Sequence, residues 1–219
     1  MKKLSITIRE INVEAKFIVI EGLEGAGKST AVQTISKCLS ELGISEIHHT
    51  REPGGTPLAE ELRGLLKQDH EEHITAEAEC LMMYAARAQL IHNVIQPKLE
   101  QGIWVIGDRH DLSSRAYQGG GRQLSDLVDK VSEATLRDFK PDLTFYLDID
   151  PNLGLKRAAM RGELDRIEKE TLDFFIRTRD KYLEIARTSD DIEIIDASQD
   201  LDKVQSDIQE RLKQRVSTW

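Results

Sequence analysis

A short apolar run, Phe17-Ile18-Val19-Ile20, enters Gly22-Leu23-Glu24-Gly25-Ala26-Gly27-Lys28-Ser29, and a helical pattern comes after it. Few folds can hold that succession. A strand delivers the backbone to a turn whose glycines can take φ > 0, so that successive N–H groups close around a polyphosphate while the dipole of the next helix adds partial positive charge. Within such a phosphate loop, Lys28 reaches the terminal phosphates and the Ser29 hydroxyl ligates Mg²⁺. A chance glycine-rich turn between a strand and a helix is the plainer alternative. The spacing of the glycines and of Lys28-Ser29, with the correct flank on each side, argues against it.

Beyond this loop, strand-like and helical runs alternate. A helix is expected over Lys28 to Leu42, closed by Gly43. Strands are expected at Glu46 to Thr50, Ile103 to Ile106, Leu143 to Ile149 and Ile192 to Ile195. The long segment Thr75 to Gln101 opens on Thr75 as an N-cap, carries Glu77 and Glu79 in its first turn, and places apolar residues at 78, 81, 85, 88, 91 and 95, which is helical spacing. Alternation of this kind means parallel strands joined by crossover helices. The expected architecture is therefore α/β, three-layered, with a five-stranded parallel sheet and an active site at the carboxyl ends of the strands.

Composition narrows the functional classes. With 219 residues and no Pro/Gly/Ser-rich linker, the chain can bury one good-sized core and reads as one main domain, residues 16–219. The balance of 30 basic against 39 acidic residues, a net charge of −9, argues against a general nucleic-acid or membrane-surface binder and requires any anion site to be locally basic. Cys38 and Cys80 fall in helical patterns without metal-type spacing and read as reduced, packed thiols. Met1 to Ala15 reads as an N-terminal extension. Its basic start resembles a leader, but Ile6-Thr7-Ile8-Arg9-Glu10 is broken by charge before an apolar stretch forms, so a cytoplasmic protein is expected.

A second group of candidates lies after the strand at Ile103 to Ile106. Gly107-Asp108-Arg109-His110 would emerge at the carboxyl edge beside the phosphate loop, Asp108 able to order Mg²⁺-bound water and Arg109 to hold a phosphate. Alone, such a pair could equally be a surface ion pair. The turn Thr50 to Thr56 and the glycine-rich Tyr117 to Arg122 raise the same choice between a ligand-facing loop and a mere connection.

Taken in order, "EGLEGAGKST", "TREPGGT", "LMMYAARAQL", "GDRHDLSSRAYQGGGR" and "RGELDRIE" resemble the thymidylate kinase family, in its branch with an acidic P-loop and a basic lid, from about Lys16 onward. The resemblance implies a nucleoside monophosphate kinase fold and a Mg²⁺-dependent, homodimeric, cytoplasmic enzyme that transfers the γ-phosphoryl group of ATP to dTMP, giving dTDP and ADP for dTTP synthesis. It assigns Gly22, Gly25, Ala26, Gly27, Lys28, Ser29 and Thr30 to the donor phosphates and Mg²⁺. Glu24, in the same loop, falls near the acceptor 3′-hydroxyl. Arg63 and Arg109 match the arginines that hold the acceptor phosphate, and Arg87 matches the one that hydrogen-bonds thymine O4. Ser114 and Gln118 fall near the base, Tyr117 where a ribose 2′-hydroxyl would sit, and Asp196-Ala197-Ser198 against adenine. Where the family usually stacks an aromatic ring on the base, this chain has Met83, four residues ahead of Arg87. A polarizable thioether can still cover a π-face, so weaker base binding is expected there.

The chemistry agrees with this reading. A phosphate acceptor with a second pKa of about 6 is largely dianionic at neutral pH and needs no strong general base. It needs charge neutralisation and alignment instead, since two polyanions repel and the transition state leaves charge on the transferred oxygens. Lys28 is the only cation in the phosphate loop. Arg157, Arg161 and Arg166, with Gly162 as a hinge, are the candidates for a closing lid that supplies the rest, and Lys28, Arg109 and Arg161 are the expected catalytic cations. A solvated charged helix face is the plainer reading of the three lid arginines. A GTPase-type switch would need an Asn-Lys-x-Asp segment, which the chain lacks. A deoxynucleoside kinase, phosphorylating a hydroxyl with Glu52 or Asp108 as base, stays open.

Overall fold

The computed structural model describes residues 14–160, 162 and 164–219. Five parallel strands form one sheet in the order β2-β3-β1-β4-β5: β1 Phe17–Gly22, β2 Ile47–Arg51, β3 Trp104–Asp108, β4 Leu143–Asp148 and β5 Ile192–Asp196. All lie where the sequence places them, with shifts of one or two residues at the ends. Strand order reverses about β1, and that is where a doubly wound sheet opens a crevice at its carboxyl edge. The register sets the edge level: Ile20 pairs with Asp108, Arg51 with Asp108, Gly22 with Leu147 and Asp148 with Asp196.

Every residue of β1 is buried, as expected for a strand covered on both faces. Ile18 and Ile20 belong to the larger core, which includes Ile35 and Leu39 of α1 (Lys28–Glu41) and Ile208 and Leu212 of α9 (Leu201–Val216). Phe17 and Val19 point the other way, into a smaller cluster with Leu90, Ile95, Val105 and Leu136. Each such aliphatic side chain contributes about 1.5–3 kcal/mol of transfer free energy. Between β2 and β3 come α2 (Pro57–Lys67), α3 (Ala76–Leu90) and α4 (Gln96–Glu100); between β3 and β4, α5 (Asp111–Ser114) and α6 (Ser125–Leu136); then α7 (Pro151–Ala159) and α8 (Leu172–Ala186) before β5.

The long helix departs from its expected form. Thr75 does cap it, its side chain accepting from Ala78 N at 3.2 Å, but the α-helix ends at Leu90 and a π-helical turn, Ile91–Ile95, precedes α4. Nor does α3 bury the stripe that its apolar residues mark. Leu81, Ala85 and Ala88 face outward, while Glu79, Cys80, Tyr84, Ala86, Arg87 and Leu90 are buried; of the stripe's later residues, Ile91 and Ile95 enter the core from within the π turn itself. The wider π turn shifts the angular phase of the residues beyond it. The inward face of α3 is polar because it builds a site.

Candidate active site

The phosphate loop, residues 22–29, joins β1 to α1, whose N-cap Gly27 is left-handed at φ 92°. A Cβ on Gly25 would come within 2.2 Å of the Gly154 carbonyl oxygen, so α7 rests directly on the loop. Lys28 Nζ donates to the carbonyl oxygens of Gly22 at 3.1 Å and Leu23 at 3.0 Å, which curls it over the cradle. Burial, helped by the nearby Arg109, pushes the Lys28 ammonium down to about 8 against the opposing pull of Glu24, Asp108 and Glu21. Ser29 is exposed at the start of α1.

Next to the loop a cleft opens at the carboxyl edge, lined by residues from the phosphate loop, β2, β3, α2, α3, the segment after β3 and the segment before α8. It contains Glu24, Arg63, Met83, Arg87, Asp108, Arg109, Ser114, Tyr117 and Gln118, that is, the acceptor-side candidates together with the expected metal-side carboxylate.

Arg109 sits at φ 73°, a left-handed conformation uncommon for a side chain with a Cβ, immediately after β3. Its Nη2 donates to Glu24 Oε1 at 2.6 Å and to the Tyr117 hydroxyl at 3.2 Å, and its Nη1 to Ser113 Oγ at 3.0 Å. Tyr117 donates its hydroxyl to Glu24 Oε2 at 2.6 Å. Burial alone would raise the Glu24 carboxyl, but Arg109 and Lys28 outweigh it and hold the group below the usual range. Glu24 is thus an anion bridging the loop to Arg109.

Arg87 is fixed from three sides. Its Nε donates to Glu52 Oε2 at 2.7 Å and its Nη2 to the His110 carbonyl and to Ser114 Oγ, each at 2.9 Å, while Tyr84 lies flat against it at 4.5 Å. Nη1 is buried and makes no hydrogen bond among the described residues. Glu52, joined to Pro53 by a cis peptide, also binds His110 Nδ1 at 2.7 Å. Despite burial its carboxyl is held low by Arg87 and His110. Arg63 Nη1 donates to the Pro53 carbonyl at 2.7 Å, and Met83 is half-buried, bordering both the cleft and the main core. Asp108 Oδ1 is buried without a hydrogen-bond partner among the described residues.

On the donor side, Arg157 Nη1 donates to the Ala197 carbonyl at 3.1 Å, which joins α7 to the turn Asp196-Ala197-Ser198 after β5. In that turn Ser198 Oγ donates to Asp196 Oδ1 at 2.6 Å, and Ala197 is buried. Arg166, beyond the candidate lid position 161, donates its Nη2 to Glu79 Oε2 at 2.6 Å and its Nε to the Leu66 carbonyl at 3.0 Å. It is therefore tied back to α2 and α3. Arg161 lies outside the described residues, as does the extension up to residue 13.

Several contributors escaped sequence reasoning. Glu21 is fully buried in β1 and accepts from His110 N at 2.7 Å, Ser113 Oγ at 2.5 Å and the Tyr182 hydroxyl at 2.9 Å. Burial raises its carboxyl above the usual range against those bonds and Arg109. A lone charge inside an apolar strand was the available signal. Arg51, Asp165 and Ile167, which fall inside segments that the sequence singles out without giving them a role, also line the cleft, as does Lys67, which nothing in its spacing marks.

A family model described as thymidylate kinase matches residues 20–208. A thymidylate kinase of Haemophilus ducreyi is 58% identical over 207 residues, covering 94% of this chain and 97% of the relative. One of Vibrio parahaemolyticus is 56% identical over 207 residues, covering 94% and 99%. Among solved structures, a crystal structure of thymidylate kinase from Ehrlichia chaffeensis superposes with a TM-score of 0.73 at 30% identity, covering 92% of this chain and 99% of that one.

Proposed function

The chain belongs to the thymidylate kinase family and is an ATP-dependent kinase of dTMP, and from that premise we propose how its residues divide the work. The cleft takes dTMP. Arg63 and Arg109 hold its phosphate, Met83 covers the base, and Arg87, whose Nη1 has an ion pair with Asp111 at 3.7 Å but no hydrogen bond, reads the base oxygen with Ser114 and Gln118 beside it. Tyr117, pinned to Glu24, occupies space that a 2′-hydroxyl would need, and Glu24 is left near the 3′-hydroxyl. The phosphate loop, Gly22 and Gly25 to Thr30, takes the ATP phosphates, and Asp196-Ala197-Ser198 with Arg157 borders its adenine.

The observation that carries this division is the Glu24–Arg109 bridge, which places the acceptor-side arginine against the donor loop. Two phosphates bound on either side of it would meet in line, so that the acceptor oxygen displaces ADP from the γ-phosphorus. No carboxylate is required as base for a dianionic acceptor. Of the two bases open to a nucleoside kinase, Glu52 is consumed by Arg87 and His110, which counts against the hydroxyl-acceptor reading and leaves it only Asp108. Mg²⁺ fits the donor set: no group of three or more His, Cys, Asp or Glu among the described residues is arranged to hold a metal alone, but Mg²⁺ ordinarily binds through one or two carboxylates plus phosphate oxygens and water. Ser29 and the orphaned Asp108 Oδ1 would hold it there, and when bound it neutralises charge on the β- and γ-phosphates.

The outward stripe Leu81, Ala85 and Ala88 on α3 supports a homodimer through that helix, since exposed apolar faces of this kind mark subunit contacts. No helix among the described residues is long and apolar enough to cross a membrane, and a cytoplasmic enzyme with a dispensable segment 1–15 ahead of the kinase domain, 16–219, is the reading we favour. A coupled assay comparing dTMP with thymidine as acceptor tests the whole. Phosphorylation of dTMP at least about a hundredfold more efficiently, by kcat/KM, is expected, because the site spends two arginines on the acceptor phosphate. Comparable rates with thymidine would overturn it.

A further inference from the structure

Glu79 lies on the inward face of α3, one turn before Met83 and two before Arg87, with its side chain 1% exposed. A bare carboxylate so deeply buried would be costly. This one collects four hydrogen bonds from three side chains: Gln118 Nε2 at 2.9 Å and Arg122 Nε at 3.2 Å on Oε1, Arg122 Nη2 at 3.0 Å and Arg166 Nη2 at 2.6 Å on Oε2. Although burial opposes it, Arg122, Gln118 and Arg166 hold the carboxyl below its ordinary range.

Those partners come from separate parts of the site. Gln118 belongs to the π-helical segment Arg115–Gly121 that borders the base side of the cleft, Arg122 caps that segment, and Arg166 belongs to the lid. The lid foot is itself stiff: Lys67 Nζ donates to Asp165 Oδ2 at 2.6 Å, and Asp165 Oδ1 accepts from the Ile167 and Glu168 N–H groups at 3.0 Å each. Asp165 and Ile167 line the cleft. Between this foot and the end of α7 at Ala159 only a short stretch of chain remains, and it contains Arg161.

We propose that Glu79 is a positioning residue that transmits occupancy of the base side of the cleft to the lid, through Gln118 on one oxygen and Arg166 on the other. The proposal rests on the reading of the cleft as the acceptor site. A base that settles against Gln118 and Met83 fixes the carboxylate, and the carboxylate fixes the lid foot. Charge-assisted pairs in a site of low dielectric are stiff enough for this, and their loss would uncouple the two ends without removing either.

Tryptic cleavage in the lid, after Arg157, Arg161 or Arg166, reads the coupling without turnover. In the wild type, saturating dTMP should slow that cleavage about tenfold, a coupling of ordinary allosteric size. Glu79→Gln should keep dTMP affinity within about threefold by calorimetry while the protection drops below about twofold. A Glu79→Gln protein that binds dTMP and is protected as well as the wild type overturns the proposal, even if its melting temperature is lower, since lower stability alone is what a merely structural role predicts. A wild type that binds dTMP without protection overturns it too. A wild type that fails to bind dTMP would instead overturn the acceptor-site reading beneath it. If Glu79→Gln does not fold, Arg166→Met applies the same test from the lid side, with Arg122 and Gln118 still satisfying Glu79. Arg166→Lys should restore part of the protection, as a point charge replaces one of the guanidinium contacts.

Discussion

Arg109 Nη2 donates to Glu24 Oε1 at 2.6 Å, which ties the arginine just after β3 to the turn of the phosphate loop. Neither side chain is more than about one-sixth exposed, so the pair is only weakly screened. Glu24→Ala should leave Arg109 held by Ser113, Tyr117 and, at 3.4 Å, the Tyr182 hydroxyl. We expect turnover with dTMP to fall about 10²-fold, the scale of misplacing a reacting group by 1 Å, with a smaller fall for Glu24→Gln. Steady-state kinetics on both variants check the order, and equal losses would show that the negative charge, not the position of Arg109, is what matters.

Lys28 gives a pH signature. With its ammonium pushed down to about 8, the cation that must meet the donor phosphates is present below that pH and is lost above it. Since kcat/KM reports the free enzyme, its value for ATP should fall on the alkaline side through an apparent pKa of about 8. Lys28→Ala should lose about 10²–10³-fold in turnover and show no such limb. The ligand-free protein should become more stable as pH rises from about 8 toward 10.5, because over that window the unfolded lysine still holds the proton that the folded one has released. An identical alkaline limb in wild type and Lys28→Ala would assign it to another group.

Met83 borders the cleft but also packs against the core, so one substitution separates its two roles. Met83→Phe should tighten dTMP by about 0.5–1.5 kcal/mol if the side chain lies on the base, the increment by which aromatic pairs exceed their area burial. Calorimetry measures the affinity and thermal unfolding the stability. An unchanged Kd with a lower melting temperature would leave Met83 as a core residue.

The features legible in the sequence are those that leave a local trace. The strands show as apolar runs, the phosphate loop as a fixed spacing, and Thr75 as a cap, and all stand where the pattern puts them. Helix α3 misleads, because its apolar stripe faces outward and its inward side carries Glu79 and Arg87, whose burial is tolerable only through partners distant in the chain such as Glu52, Gln118 and Arg166. Periodicity records which residues are apolar but cannot record such pairings. For the same reason Glu21 and Tyr182, brought together across the fold at 2.9 Å, carry no sequence signature as a pair.

The lid arginines can now be told apart by what each already holds. Arg157 donates to the Ala197 carbonyl and Arg166 to Glu79 and the Leu66 carbonyl, so under the proposed division of the site the first would border the adenine and the second would anchor the lid foot. That division favours Arg161 as the cation that meets the transferred phosphoryl group. Arg161→Ala should act on the transition state, lowering turnover about 10²–10³-fold while dTMP affinity changes little, because Arg63 and Arg109 still hold the acceptor. Arg161→Lys should recover only part of the rate, since an ammonium cannot make two parallel contacts to phosphate oxygens. Arg166→Ala, by contrast, should reduce turnover together with the stability of the lid foot. If Arg161→Ala weakened dTMP binding about tenfold and left turnover unchanged, Arg161 would belong to the acceptor site, and the charge on the transferred group would have to be met by Arg157 leaving Ala197.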